Sequence, residues 1–153
     1  MAGTRAAIRY SKAILDIANA KQVAEAVNND MKLIGDTIAS NLELSTFIQN
    51  PTLKVEVKEQ ALLEVFASAN GVTKGLFHLL FENKRFEILE GIASEYNKLF
   101  DIMNGVEVAQ VTTAIPMDAA LEAKVLAKIA TLSDKKIQIE NTIDPAIIGG
   151  FIL

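Results

Sequence analysis

The sequence predicts a mainly α protein: an N-terminal six-helix bundle followed by a small, incomplete α/β domain. Three observations predict it. Apolar residues recur at steps of three and four through the first two-thirds of the chain. β-branched residues take over after Gly105. The end, Thr142 to Leu153, reads as strand, Asp-Pro turn, glycine pair and apolar strand.

The elements follow in order. Thr4 to Ala20 forms the first helix. Val23, Val27, Met31, Ile34 and Ile38 mark the buried stripe of a second. Leu42 to Ile48 is a short third helix, stopped by Asn50-Pro51, because a residue before proline is pushed out of the helical region. Lys54 to Ala69 is the fourth, ended by Asn70-Gly71. Thr73 is placed to cap the fifth, which runs through Phe81. Phe86 to Met103 is the sixth, with Asn104-Gly105 as its stop. Beyond Gly105, Val106 to Ile115 is a strand closed by Pro116, Asp118 to Leu132 a helix, Lys136 to Ile139 a strand, and Phe151 onward the last strand. The expected organisation is therefore 1–104 for the bundle and 105–153 for the partial α/β domain.

Composition narrows the function classes. The chain has 153 residues and a net charge of −4, which opposes nucleic-acid binding and adhesion to anionic lipid. It has no cysteine, so neither a disulfide framework nor a thiolate metal site is available. No apolar run reaches the length of a membrane span. Met1 to Ala20 is rich in alanine, with Arg5, Arg9 and Lys12 and no acid before Asp16. A transit peptide can share that composition. The pattern runs smoothly into the domain, so it reads as the first helix. A strand ending on Phe151-Ile152-Leu153 would leave an apolar edge. The chain is accordingly expected to be truncated at its C-terminus, with a covering strand or helix missing.

No catalytic set is visible. His78 is the only histidine, and no serine has nucleophile-elbow context. Carboxylates at i, i+3 spacing, such as Glu56 with Glu59 and Glu87 with Glu90, read as solvated helix faces rather than a metal site. Gly71-Val72-Thr73-Lys74-Gly75 lacks the Gly-Lys-Ser/Thr ending of a phosphate loop and follows a helix, so it reads as turn and cap. No cofactor, metal or small-molecule substrate is expected.

Helix width carries the functional signal. On a helical wheel the sixth helix confines its apolar residues to roughly 140°, as one buried side requires. In the first helix, polar Arg5, Arg9, Lys12, Asp16 and Asn19 fill only about 80°, leaving roughly 220° apolar. Ile8, Ile14 and Leu15, with Ala7 and Ala18, form a bulky side. Ala6, Tyr10, Ala13 and Ile17 form a flatter one. The fifth helix is apolar over roughly 200°, with Gly75 leaving a notch beside Leu79. Either both helices are buried all round within the bundle, or each faces the core on one side and a partner helix on the other.

Several separated motifs resemble one family. Arg9-Tyr10-Ser11-Lys12-Ala13-Ile14 is similar to its opening Arg-Tyr-Ala-Lys-Ala-Leu, and Glu82-Asn83-Lys84-Arg85-Phe86 to its Glu-Asn-x-Arg-Leu. Val111 to Met117, followed by a helix and then Asp144-Pro145 to Gly149-Gly150, resembles its C-terminal signature. The family is that of the delta subunit of F-type ATP synthases, called OSCP in mitochondria. The resemblance implies a non-catalytic stator subunit. It would link the head of three alpha and three beta subunits to the b subunits of the peripheral stalk, so that rotation is coupled to ATP synthesis and proton transport. It further implies that the N-terminal helix of an alpha subunit lies between helices one and five. Tyr10, Ala13 and Leu79 are carried over to that groove, and the wheel adds Ala6, Ile17, Gly75 and Leu76. Asp144, Pro145, Gly149 and Gly150 match the signature taken to shape the part that engages b. The lack of a convincing transit peptide favours a bacterial version, peripheral on the cytoplasmic face of the inner membrane. The rivals are an all-α RNA-binding or antitermination module, opposed by the acidic charge and the α/β segment, and a generic helical adaptor.

Overall fold

The computed structural model describes residues 2–147 and 151–152. The chain divides into two compact units, residues 1–100 and 101–153. The first holds helices α1 (Ala2–Ala20), α2 (Ala24–Ser40), α3 (Leu42–Gln49), α4 (Val55–Val65) and α5 (Gly71–Asn83). A 3-10 turn at Phe86–Ile88 then leads into α6 (Leu89–Met103). The predicted six helices are all present.

Their apolar stripes meet in one core. Tyr96, Phe77, Phe86, Met31, Ile34, Leu62, Leu76, Leu80, Leu89 and Ile92 are fully buried there. Burial of such side chains is the main force holding the bundle, at roughly 1.5–3 kcal/mol each. Few polar groups enter the core, and most that do are paired. Asp30 on α2 accepts from the Asn70 backbone N–H (2.7 Å) and the Thr73 hydroxyl (2.6 Å), which puts a carboxylate at the N-terminus of α5. Buried Lys58 donates to the Ile48 carbonyl (2.7 Å), closing the C-terminal end of α3. The Tyr96 hydroxyl donates to the Ala24 carbonyl (3.0 Å).

The boundary between α4 and α5 differs from expectation. α4 stops at Val65, and Asn70-Gly71 starts a helix rather than ending one. The Asn70 side chain accepts from the Val72 N–H, so Asn70 is the cap. Thr73 lies inside α5, buried, with its hydroxyl turned to Asp30. A threonine and an asparagine were both eligible, and the fixed Asp30 carboxylate claimed the threonine.

α1 and α5 end by one device. The Gln22 N–H reaches Asn19 O (3.0 Å) and the Val23 N–H reaches Ala18 O (2.9 Å), with Gln22 at φ 58°. The Lys84 N–H reaches Phe81 O (3.1 Å) and the Arg85 N–H reaches Leu80 O (3.0 Å), with Lys84 at φ 53°. Both are left-handed C-terminal caps without glycine. At Gly105 (φ 69°) glycine does the same work after α6.

The second unit contains β1 (Val106–Thr113), α7 (Ala119–Ala130), β2 (Lys136–Ile143) and β3 (Phe151–Ile152). The sheet order is β2-β1-β3. β1 and β2 run parallel in register from Val106↔Lys136 to Thr113↔Ile143. β3 pairs antiparallel through Thr112↔Ile152 and Thr113↔Phe151. Val111 from β1 and Val125 and Ile129, one turn apart on α7, form the small core. β2 runs four residues past the expected Ile139, because parallel pairing along all of β1 overrides the polar Glu140-Asn141-Thr142. β1 stops before the expected Ile115, where the Thr113 hydroxyl donates to the Ile115 carbonyl (2.6 Å) and turns the chain. Asp118 caps α7 through the Leu121 N–H (2.7 Å).

Candidate functional site

α1 packs against α2 and α5, and it separates two kinds of surface along its length. Ala7, Ser11, Ile14, Leu15 and Ala18 face the core and are buried. Ser11 belongs there because its hydroxyl donates to the Ile8 carbonyl one turn back (3.0 Å), leaving no polar group unmet. Ile8, expected on the bulky inner side, is instead 41% exposed. It lies at the edge of the buried arc, and the smaller Ser11 occupies the central position.

The opposite side carries Ala6, Tyr10, Ala13 and Ile17, which repeat at i, i+4, i+7 and i+11. Ala6 and Tyr10 are half-buried, Ala13 is exposed and Ile17 is 45% exposed. Between this stripe and α5 runs an open trough of about 390 Å³. It is lined by Ala6, Arg9, Tyr10, Ala13, Leu79, Asn83 and Arg85. Tyr10 and half-buried Leu79 supply bulk from the two helices, while the two alanines leave a shallow floor.

The structure brings together Ala6, Tyr10, Ala13 and Leu79 from the sequence reading. Ile17 continues the α1 stripe one turn beyond the trough. Gly75 lies one turn before Leu79, exposed, with nothing within 4 Å of where a Cβ would stand. It leaves α5 bare there but does not line the trough. Leu76 is a correction: it is fully buried. It points with Leu80 and Phe77 into the core, and the wheel assigned it outward only because the whole arc was apolar.

Sequence reasoning missed Arg9, Asn83 and Arg85 as lining residues. Arg9 counted only as part of the polar arc of α1. Asn83 ends α5, and its Nδ2 donates to the Leu79 carbonyl (3.0 Å). Arg85 follows the left-handed turn at Lys84 that swings the chain back over the end of α5. The available signal was the Glu82–Phe86 motif, whose asparagine and arginine both prove to line the trough.

Elsewhere, His78 is exposed on α5, with Nδ1 3.0 Å from Glu59 Oε1 on α4 and its ring stacked on Phe81. Among the described residues no group of three or more His, Asp or Glu side chains is placed to hold a metal ion. No helix among them is long and apolar enough to cross a membrane. In the second unit Asp144 and Pro145 form a turn at the end of β2: Asp144 Oδ1 accepts from the Ala146 N–H (2.9 Å), and the Asp144 N–H donates to Thr113 O (2.8 Å). Gly149 and Gly150 lie outside the described residues.

Residues 6–153 match a known family model, described as ATP synthase delta (OSCP) subunit. The chain belongs to that family. The family is a structural, non-catalytic component of the ATP synthase complex, which accords with the missing catalytic set in the sequence. An ATP synthase subunit delta from Flavobacterium johnsoniae is 82% identical over the whole of this chain and 86% of the relative's length. One from Flavobacterium psychrophilum is 73% identical over the same shares. A more distant chloroplastic delta subunit from Porphyra purpurea is 32% identical over 94% of this chain and 78% of its own length. The fold is similar to a chain in the cryo-EM structure of the Toxoplasma gondii mitochondrial ATP synthase hexamer. There the TM-score is 0.75 at 23% identity, covering 95% of this chain and 83% of that one.

Proposed function

We propose that this delta-family subunit is a stator link whose bundle holds the N-terminal helix of an alpha subunit in the trough between α1 and α5. Its second unit contacts the b subunits of the peripheral stalk. The rotor drags the head around unless something fixed holds it. A subunit joined to the head at one end and the stalk at the other supplies that hold, so proton transport stays coupled to ATP synthesis. In a bacterial cell this places the chain on the cytoplasmic face of the inner membrane as a peripheral part of the complex.

The single observation that carries the reading is the open trough itself. Tyr10 and Leu79 are only half covered and Ala13 is exposed, although all three lie on helices whose inner sides are buried. Apolar surface aligned along two helices fits an amphipathic helix laid in a groove. Tyr10 is the expected anchor, because binding energy concentrates on central aromatic side chains. Ala6, Ile17 and the bare α5 surface at Gly75 extend the contact. For the second unit, the Asp144-Pro145 turn at the end of β2, with Gly149 and Gly150 completing the signature in the sequence, belongs to the part taken to engage b.

Titration of the whole chain with the alpha N-terminal segment tests the bundle side. Saturable binding that Ala13→Asp abolishes supports the assignment, and binding unaffected by that substitution removes the trough from it. Co-purification of tagged chain with b subunits from membrane extract tests the other side.

A further inference from the structure

The charged groups at the trough are all of one sign. Among the described residues, Arg9 and Arg85 are the only charged ones that line it. Both are exposed, and among the described residues neither forms an ion pair. A basic rim is not what composition supplies, since the chain has 15 Lys and Arg against 19 Asp and Glu. The other side of α1 shows the reverse. The groove it forms with α6, about 460 Å³, is lined by Gly3, Thr4, Ala7, Ile88, Gly91 and Ser94 together with Glu87, Glu90 and Glu95, and among the described residues by no basic one. One helix therefore separates a basic trough from an acidic one.

We infer that the trough between α1 and α5 selects an acidic amphipathic helix, with Arg9 and Arg85 as the residues that set this specificity. The inference rests on the helix-binding reading of the trough. The two guanidinium groups come from different elements. Arg9 stands on α1 one turn before Ala13. Arg85 stands past the end of α5, its backbone N–H held by the Leu80 carbonyl at 3.0 Å, so its Cα is fixed. Asn83 beside it donates its Nδ2 to the Leu79 carbonyl. An occupant with its apolar stripe on Tyr10 and Leu79 would carry its flanking side chains past both arginines. Carboxylates there gain paired, planar hydrogen bonds that lysines would replace by repulsion. Rim charges of this kind act on partner choice, register and association rate more than on total affinity.

The test uses the full chain and two designed helical peptides that share one Leu/Ala face. One has glutamates flanking that face, the other lysines. At low salt the glutamate peptide should bind about tenfold tighter, as expected for two rim pairs. The Arg9→Gln/Arg85→Gln double variant should lose most of that ratio, and so should the wild-type chain at ~1 M salt, where exposed charges are screened within about 3 Å. Glu90→Gln, in the opposite groove, should leave the ratio unchanged. Equal binding of the two peptides, or a glutamate preference that survives the double substitution, overturns the inference. A parallel titration with the alpha N-terminal segment separates the two levels. If that segment binds in an Ala13-dependent way while the peptides are not distinguished, only the charge specificity falls. If neither the segment nor either peptide binds, the helix-binding reading falls and this inference with it.

Discussion

The two faces of α1 have similar apolar content and different fates. On the inner face Ala7, Ser11, Ile14, Leu15 and Ala18 are no more than 7% exposed. On the outer face Ala6 and Tyr10 are half covered, while Ala13 and Ile17 stand largely in solvent. α5 repeats the contrast with fully buried Leu76 and half-buried Leu79. A helix needs one apolar stripe to join a bundle. The second stripe is only partly covered by the bundle, which fits the partner helix proposed above. Inner-face changes should therefore be felt in folding, and outer-face changes in binding.

The largest effect should come from the inner face. Leu15→Ala removes most of a buried side chain and should destabilise the bundle by about 2–5 kcal/mol. Thermal melting would show this, and a loss under 1 kcal/mol would break the contrast. Next is Ala13→Asp on the outer face. It should leave the melting temperature nearly unchanged, because exposed substitutions shift stability by only about 0.5 kcal/mol. It should nonetheless weaken binding of the alpha segment by about 3 kcal/mol or more, since an unpaired carboxylate would be buried on docking.

The core also sets a pH limit. Burial, with the Asp30 charge adding to it, pushes the Tyr96 phenol up from 10.0 to about 12. The folded state thus favours the neutral phenol, whose contribution is fully present below pH 10 and is lost as pH rises toward 12. Denaturant midpoints across that window should fall faster for the native chain than for Tyr96→Phe, which has no proton to lose. The smallest effect belongs to the turn that ends α5. Lys84 holds a left-handed φ of 53°, a conformation that costs a residue with a Cβ roughly 1 kcal/mol. Lys84→Gly should therefore raise stability by about 0.5–1 kcal/mol. No gain would mean that the turn is fixed by something other than its backbone preference.

Much of this was legible in the sequence, for identifiable reasons. The six helices followed from apolar spacing, and β1, α7 and the Asp144-Pro145 turn from β-branched runs and turn chemistry. The surplus width of α1 and α5 was visible on the wheel. What stayed hidden depended on tertiary partners. A wheel cannot divide a continuous apolar arc into core and surface, so Leu76 was assigned outward and Ile8 inward. Polar Ser11 gave no sign that it would sit in the core, because its satisfaction by the Ile8 carbonyl is invisible in the residue alone. Thr73 looked like a cap until Asp30, forty-three residues away, engaged its hydroxyl. The left-handed turns at Gln22 and Lys84 carry no glycine, so the second of them concealed Arg85 as a lining residue of the trough.

The most direct test of the surplus-face account is an NMR titration of the isotope-labelled chain with the alpha N-terminal segment. The account predicts shift changes concentrated at Ala6, Tyr10, Ala13 and Leu79, with Ile14, Leu15 and Leu76 behind them little affected. Saturable binding that instead moves resonances on α3 and α4, leaving the α1 stripe unchanged, would contradict it.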